Sequence, residues 1–318
     1  MKTPFLSIVI PLYNKEAFVL ATIESIFAQT FTNYEIIVVE DCSTDNSKTI
    51  VENLKSDKIK IIQHQANKGL SASRNTGIKN SKADFIVLID ADDLMKPPYL
   101  KKIISLIENF PEADLFGTNY EEVYSNNNRI TPVLSLSNFE KDSIINDFFA
   151  ENLKQPIYCQ SSFCVRKSAF EKFGLYDETI NYAEDIDFNI RANLHSKLAY
   201  SQEKLVQYIM FDDNRITRNT ILGKIIPNFN KYEILAYNNK NLKKYLDINR
   251  YMLASNYKKE CDFKTFQKLK NEISNNTKIS GLNIKQRILL EMPIFMLHFL
   301  AQIKKILLTK GLKISSFK

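Results

Sequence analysis

The sequence predicts an α/β protein, a mainly parallel sheet flanked by helices and followed by a mostly helical C-terminal extension. Three observations predict it. Apolar strand-like runs begin near residues 6, 35, 59 and 85 and alternate with segments of helical period, the pattern of successive βαβ units. The run over residues 85–89 is apolar without a break and rich in Ile, Val and Leu, as strands buried on both faces are. It ends in three carboxylates within four positions, Asp90, Asp92 and Asp93. Ligands of parallel sheets bind beyond the carboxyl ends of the strands, which is where these acids fall.

Taken in order, residues 6–10 form a short apolar strand halted by Pro11, and residues 16–29 carry apolar positions at helical spacing. Residues 35–39 are a second buried strand ending at Glu40-Asp41. Ser43-Thr44-Asp45 then offers N-cap chemistry for a helix through Lys55. Residues 58–63 are a third strand, Asn67-Lys-Gly69 turns the chain, and a helix runs from Ser71 to about Asn80. The strand-end rule gathers Pro11-Leu-Tyr-Asn14, Glu40-Asp41 and residues 90–93 onto one edge. Further on, residues 162–166 read as a strand and residues 167–173 as a short helix stopped by Gly174. Residues 221–237, 263–273 and 285–308 show helical periodicity. The expected division is a catalytic part over residues 1–215 and a helical, basic extension over residues 216–318.

Clustered carboxylates repel and raise each other's pKa unless a cation lies between them. Hard oxygen donors suit Mg²⁺ or Mn²⁺, which bind through one or two carboxylates together with substrate phosphates. Strand alternation would send Asp90 and Asp92 one way and Asp93 the other. The alternative is a loop of helix-capping acids ahead of Pro97-Pro98. Neither GxGxxG after the first strand nor GxxxxGK[ST] anywhere is present, so phosphate must be handled by side chains and metal rather than by backbone amides.

Composition is that of a globular chain, with 44% hydrophobic and 25% charged residues among 318. The net charge of +7 is unevenly spread. Residues 240–318 hold 17 Lys and Arg against 5 Asp and Glu, whereas residues 1–239 hold 26 against 31. A basic tail on an acidic body suits an anionic surface as partner. Four cysteines without CxxC spacing and only three histidines argue against a zinc site. Unpaired thiols and the absence of an export signal predict a cytoplasmic location, and no run of 18 apolar residues predicts a membrane span.

Read together, Ser7-Ile-Val-Ile-Pro-Leu-Tyr-Asn14, Gln29-Thr-Phe31, Glu35-Ile-Ile-Val-Val-Glu-Asp-Cys-Ser-Thr-Asp45, Asn67-Lys-Gly-Leu-Ser-Ala-Ser-Arg-Asn75 and Asp90-Ala-Asp-Asp93 resemble the motifs of family 2 inverting glycosyltransferases in order and spacing. The likeness covers roughly residues 5–195. It departs in Glu40, where the family usually has a first Asp, and in Cys42. The resemblance implies the GT-A fold, a Rossmann-like nucleotide-binding sheet, and a metal-dependent transfer from a nucleotide-sugar, a UDP-sugar by expectation.

Carried over, it implies that Pro11, Tyr13 and Asn14 lie at the nucleotide. Tyr13 would stack on the base and Asp41 would accept a hydrogen bond from it. Arg74 would face the diphosphate, with a surface arginine as the alternative. Asp90 would contact ribose or metal, and Asp92 would ligate the metal. In Ala183-Glu-Asp-Ile-Asp-Phe-Asn-Ile-Arg191 the acid pair would open a helix. Asp185 would be the catalytic base and Glu184 would support it or meet the acceptor. Asp187 and Arg191, four apart, read as a structural pair. The family's downstream histidine is absent over residues 208–218, where Asp212, Asp213, Arg215 and Arg218 are the substitutes on offer.

The implied reaction is inverting transfer to a glycan or lipid-linked acceptor in surface polysaccharide synthesis. The rivals are a non-catalytic nucleotide-sugar-binding or scaffold protein and a sugar nucleotidyltransferase. The apolar stretch over residues 288–308, flanked by Lys285, Arg287, Lys304, Lys305, Lys310 and Lys313, reads as an anchor on anionic lipid at the inner face of the cell membrane. A helix packed on the body or on a second copy is the alternative. Nucleic acid is not expected as a partner. His64, His195 and His298 carry no partner signal.

Overall fold

The structure is a computed structural model and describes residues 3–125, 128–132, 134, 136, 142–212, 220–274 and 281–309. The first half alternates as expected: β1 Leu6–Leu12, α1 Val19–Phe27, β2 Tyr34–Glu40, α2 Ser47–Asn53, β3 Ile59–Gln63, α3 Leu70–Asn80 and β4 Phe85–Leu88. β5 Leu94–Met95, α4 Tyr99–Asn109, β6 Leu115–Val123, β7 Arg129–Ile130, β8 Ser143–Ile145 and α5 Phe148–Glu151 follow. Then come β9 Phe163–Arg166, α6 Phe170–Phe173, α7 Glu184–His195 and β10 Leu198–Ile209. The C-terminal helices are α8 Glu233–Ala236, α9 Lys240–Lys259, α10 Phe263–Ser274, α11 Ile284–Glu291 and α12 Ile294–Thr309.

Among the described residues these strands form one ten-stranded sheet in the order β3-β2-β1-β4-β9-β6-β10-β5, with β7 on β6 and β8 on β10. The β3-β2-β1-β4 part is parallel throughout. β9 enters antiparallel between β4 and β6, and β6 and β10 are again parallel to each other. Chain order therefore reverses direction about β1, a switch point of the kind that opens a crevice at the strand ends.

All seven residues of β1 are buried, because helices cover both faces. Leu6, Ile8, Ile10 and Leu12 enter the cluster with Val19, Ile23 and Ile26 of α1 and Leu100 and Ile103 of α4. Val9 enters the opposite cluster with Ile78 of α3. There α3 lies flush on β1: a Cβ on Gly77 would stand 2.2 Å from Val9 Cγ1. The cluster holding Val9 continues without interruption to Tyr245 and Leu253 of α9 and Leu290 of α11, so the C-terminal helices share the core of the sheet.

Two expectations differ, and one helix has no counterpart among them. Residues 221–237 do not form one helix: a 3₁₀ turn at Phe229–Tyr232 and the four-residue α8 stand there, behind Gly223 in the left-handed region and Pro227. The stretch 285–308 is two helices, since Pro293 can neither donate to the helix ladder nor clear the preceding turn. The longest helix, α9, escapes a search for apolar period because Lys243, Asp247 and Arg250 are buried on it as ion pairs. The Asp187–Arg191 pair stands as expected, with Arg191 Nε 2.9 Å from Asp187 Oδ2.

Candidate active site

The carboxyl ends of β1, β2 and β4, the N-terminus of α3 and the N-terminus of α7 converge on one edge of the sheet. Each is held by local chemistry. At the end of β1, Pro11 is buried and paired beside Val39, while Tyr13 beyond it is 44% exposed. Asn14 turns the chain at φ 51°, its Oδ1 accepting from Thr44 N at 2.7 Å and its own N–H donating to Ser43 Oγ at 3.2 Å. Asn14 thus braces the loop after β2.

That loop carries Glu40 and Asp41, both buried. The Asp41 carboxylate accepts from Lys68 N and Gly69 N at 2.8 Å each, and it meets His64 Nδ1 at 2.6 Å. The other ring nitrogen of His64 meets Thr76 Oγ1 at 2.9 Å. His64, expected to have no partner, is therefore built into the support of the 67–69 turn. Gly69 there has φ 87° and opens α3.

Arg74 is neither on the surface nor open to solvent. Its guanidinium spans two acids, with Nη2 donating to Asp90 Oδ1 and Nη1 to Glu184 Oε1, both at 2.8 Å. Its Nε is buried without a partner, and its plane lies 5.2 Å from the Tyr176 ring centre. Asn75, one position on, clamps the approach to α7 by bonding both the N–H and the carbonyl of Tyr176. The helix start is reached through Ala183 at φ 60°, a costly conformation for a residue with a Cβ and one found at functional sites.

Strand pairing of β4 stops at Leu88, and residues 90–93 turn towards β5, so alternation does not govern the three acids. Asp93 is fully buried, accepting from Ser161 Oγ and from Ile209 N at 2.9 Å. Its job is structural. Burial and the neighbouring Asp92 and Asp90 push its pKa well above the usual carboxylate value. Asp90 remains towards the crevice, its side chain 29% exposed, while Asp92 is buried beside it. Oxygen atoms of the three acids lie within 4.8 Å of one another. One partly exposed carboxylate, Asp90, with the buried Asp92 and Asp93 behind it, forms a hard oxygen donor set that fits Mg²⁺ or Mn²⁺.

Two participants enter that the strand-end reading did not name. Lys15, one residue past the Pro11–Asn14 group, places Nζ 2.9 Å from Asp92 Oδ2 and also pairs with Asp212. Of the four substitutes offered after β10, Asp212 is the one among the described residues, and it stands at the site; Asp213, Arg215 and Arg218 lie outside the described residues. Burial raises the Asp92 pKa to about 6, against the opposing pull of Lys15. At α7, burial first and the Glu184 carboxylate second push Asp185 up to about 7.

A family model, Glycosyl transferase family 2, matches residues 7–174, which include every element of this edge except the start of α7. The chain belongs to glycosyltransferase family 2. The curated relatives carry the same description: EpsJ of Bacillus subtilis, an uncharacterized glycosyltransferase, is 31% identical over 194 residues, 59% of this chain and 56% of EpsJ. An uncharacterized glycosyltransferase of Haemophilus influenzae is 29% identical over 188 residues, 58% of this chain and 61% of the relative. The match thus spans under two thirds of both relatives. Among solved structures, residues 1–349 of S. aureus TarS in complex with UDP-GlcNAc superpose with a TM-score of 0.61 at 21% identity, over 76% of this chain and 72% of that one. At that identity the likeness is one of fold, and the fold is GT-A. Among the described residues of this family 2 chain, no helix is long and apolar enough to cross a membrane.

Proposed function

We propose that this chain is an inverting glycosyltransferase that moves a sugar from a UDP-sugar to a hydroxyl of a glycan or lipid-linked acceptor in surface polysaccharide synthesis. The observation that carries the reading is the double bridge of Arg74, which ties the donor-side acid Asp90 to the α7 acid pair. The UDP-GlcNAc held by TarS supports the choice of donor class.

In this reading Tyr13 stacks on the base, and Asn14 and Pro11 shape the loop beneath it. Asp41 serves the base edge while holding the 67–69 turn. Arg74 acts from behind Asp90 rather than on the diphosphate directly. Asp185 takes the proton of the acceptor hydroxyl as its oxygen bonds to the anomeric carbon. The bond from that carbon to the diphosphate oxygen breaks, and the nucleoside diphosphate leaves. A base poised near neutrality is suited to this transfer, and burial, with the Glu184 charge second, holds Asp185 there. Bound Mg²⁺ or Mn²⁺ on Asp92 and Asp90 would neutralise charge developing on the leaving diphosphate. Residues 1–215 are the catalytic part and residues 216–318 an extension whose described helices share its core.

The extension adds a surface. On α12 Leu297, Leu300 and Ile303 are half-buried, yet Phe295, Phe299 and Ile306 remain 73%, 63% and 58% exposed. A helix apolar on both sides needs a second cover. The charge surplus of this region favours anionic lipid as that cover, placing the enzyme beside a lipid-linked acceptor.

The test is calorimetric titration with UDP in the presence and absence of Mn²⁺, followed by transfer assays over UDP-sugars. UDP binding that needs metal and is lost in Asp92→Ala is expected. Failure to bind UDP or any other nucleoside diphosphate would overturn the reading in favour of a non-catalytic protein.

A further inference from the structure

We propose that Lys15 is the resident counter-cation of the metal subsite and yields Asp92 only when the donor's diphosphate arrives with its metal, so that nucleotide and metal are taken up as one unit. This rests on the nucleotide-sugar reading above.

The geometry that carries it is a triangle. Asp92 and Asp212 are 6% and 3% exposed, and the Lys15 ammonium pairs with both. Two buried carboxylates sharing a site need a positive charge between them. Asp92 cannot give its bonded oxygen to a divalent ion while the ammonium holds it. A metal arriving alone competes with a paired cation for that oxygen, whereas one arriving with a diphosphate supplies two negative charges or more to which the displaced ammonium can turn.

The local build allows that turn. The Lys15 backbone is fixed, its N–H donating to Ser47 Oγ at 2.7 Å, so movement is confined to the four-carbon stem. Beside it, Asn14, Glu16, Phe18 and Asp45 help line a cavity of about 210 Å³. Asp212 is steadied separately, through the contact of Phe211 with Phe18 at 5.9 Å between ring centres. Lys15 can leave Asp92 without leaving Asp212.

The experiment measures Mn²⁺ binding by the resonance signal of the free ion, with and without UDP, in the full chain and in Lys15→Met and Lys15→Arg. For the unaltered chain, Mn²⁺ affinity at least tenfold higher with UDP than without is expected. Lys15→Met should bind Mn²⁺ alone at least tenfold more tightly than the unaltered chain and bind UDP with Mn²⁺ more weakly. Lys15→Arg should keep the metal behaviour of the unaltered chain. Equal Mn²⁺ affinity with and without UDP, which needs no variant, would overturn the proposal, as would unchanged metal-only affinity in a folded Lys15→Met. No UDP binding by the unaltered chain would instead sink the nucleotide-sugar reading itself.

Discussion

Arg74 donates to Glu184 across 110 positions of sequence, 2.8 Å from nitrogen to oxygen, in a site where the guanidinium is 2% exposed. The pair joins the start of α3 to the start of α7. Removing the cation leaves Asp90 and Glu184 facing each other without a counter-charge. Arg74→Met should therefore cost about 3–5 kcal/mol of folding stability, the range for breaking a buried pair from one side. Arg74→Lys should recover part of this, since an ammonium can serve only one acid well. Denaturant unfolding followed by circular dichroism would check both.

Asp185→Asn is expected to lower sugar transfer by about 10²–10⁴-fold, the usual worth of a positioned base. UDP binding should be unchanged, which separates the base from the donor site. The base works ionised, so the rate of the unaltered enzyme should rise with pH through about 7 and level off above it. Glu184→Gln removes the neighbouring negative charge and should move that limb to lower pH.

The same acid predicts a stability slope. Asp185 ionises at about 7 in the folded chain against 3.8 ordinarily, so between those values the native state holds the extra proton. Its contribution is fully present below about pH 4 and lost as pH rises through about 7. Asp185→Asn should remove this part of the fall, read as a flatter plot of melting temperature against pH.

Tyr13→Ala removes an exposed ring from the end of β1 and nothing from the core. A loss of about 1–3 kcal/mol in UDP binding is expected, the worth of stacking one base on an aromatic side chain. Unfolding should be unaffected.

Gly77→Ala drives a Cβ to 2.2 Å from Val9 Cγ1 in the centre of β1. The expected cost is about 1–3 kcal/mol, typical of overpacking. A loss of UDP affinity should accompany it, because Arg74 and Asn75 sit one turn earlier on the same helix.

Phe295→Ser with Phe299→Ser should abolish sedimentation with vesicles containing phosphatidylglycerol while leaving UDP binding intact. Unchanged sedimentation, or a change in oligomeric state instead, would assign the outer face of α12 to protein rather than lipid.

Much of this was legible in the chain. β1 to β4 announce themselves because a strand covered on both faces must be apolar throughout. β10 does not, since its register shifts near Lys204 and the exposed Gln202, Glu203 and Lys204 interrupt any alternation. At the site, the acids after β4 and on α7 carry their chemistry in their type. Lys15 and His64 do not: a lysine after a strand and a lone histidine are ordinary until a fold brings Asp92 and Asp41 to them. Asp93 shows the reverse, an acid of the right type whose oxygens are spent on Ser161 and Ile209.

Ser161 has a wider consequence. Its hydroxyl accepts from Asp90 N at 3.0 Å and donates to Asp93, so the acidic turn after the fourth strand is fastened to the segment that leads into β9. β9 is the antiparallel strand that separates the parallel β3-β2-β1-β4 half of the sheet from the rest. A hybrid that takes strands one to four from one relative and the remainder from another would cut through that fastening. Such exchange of halves should succeed only when residues 90–93 and 161 descend from the same parent.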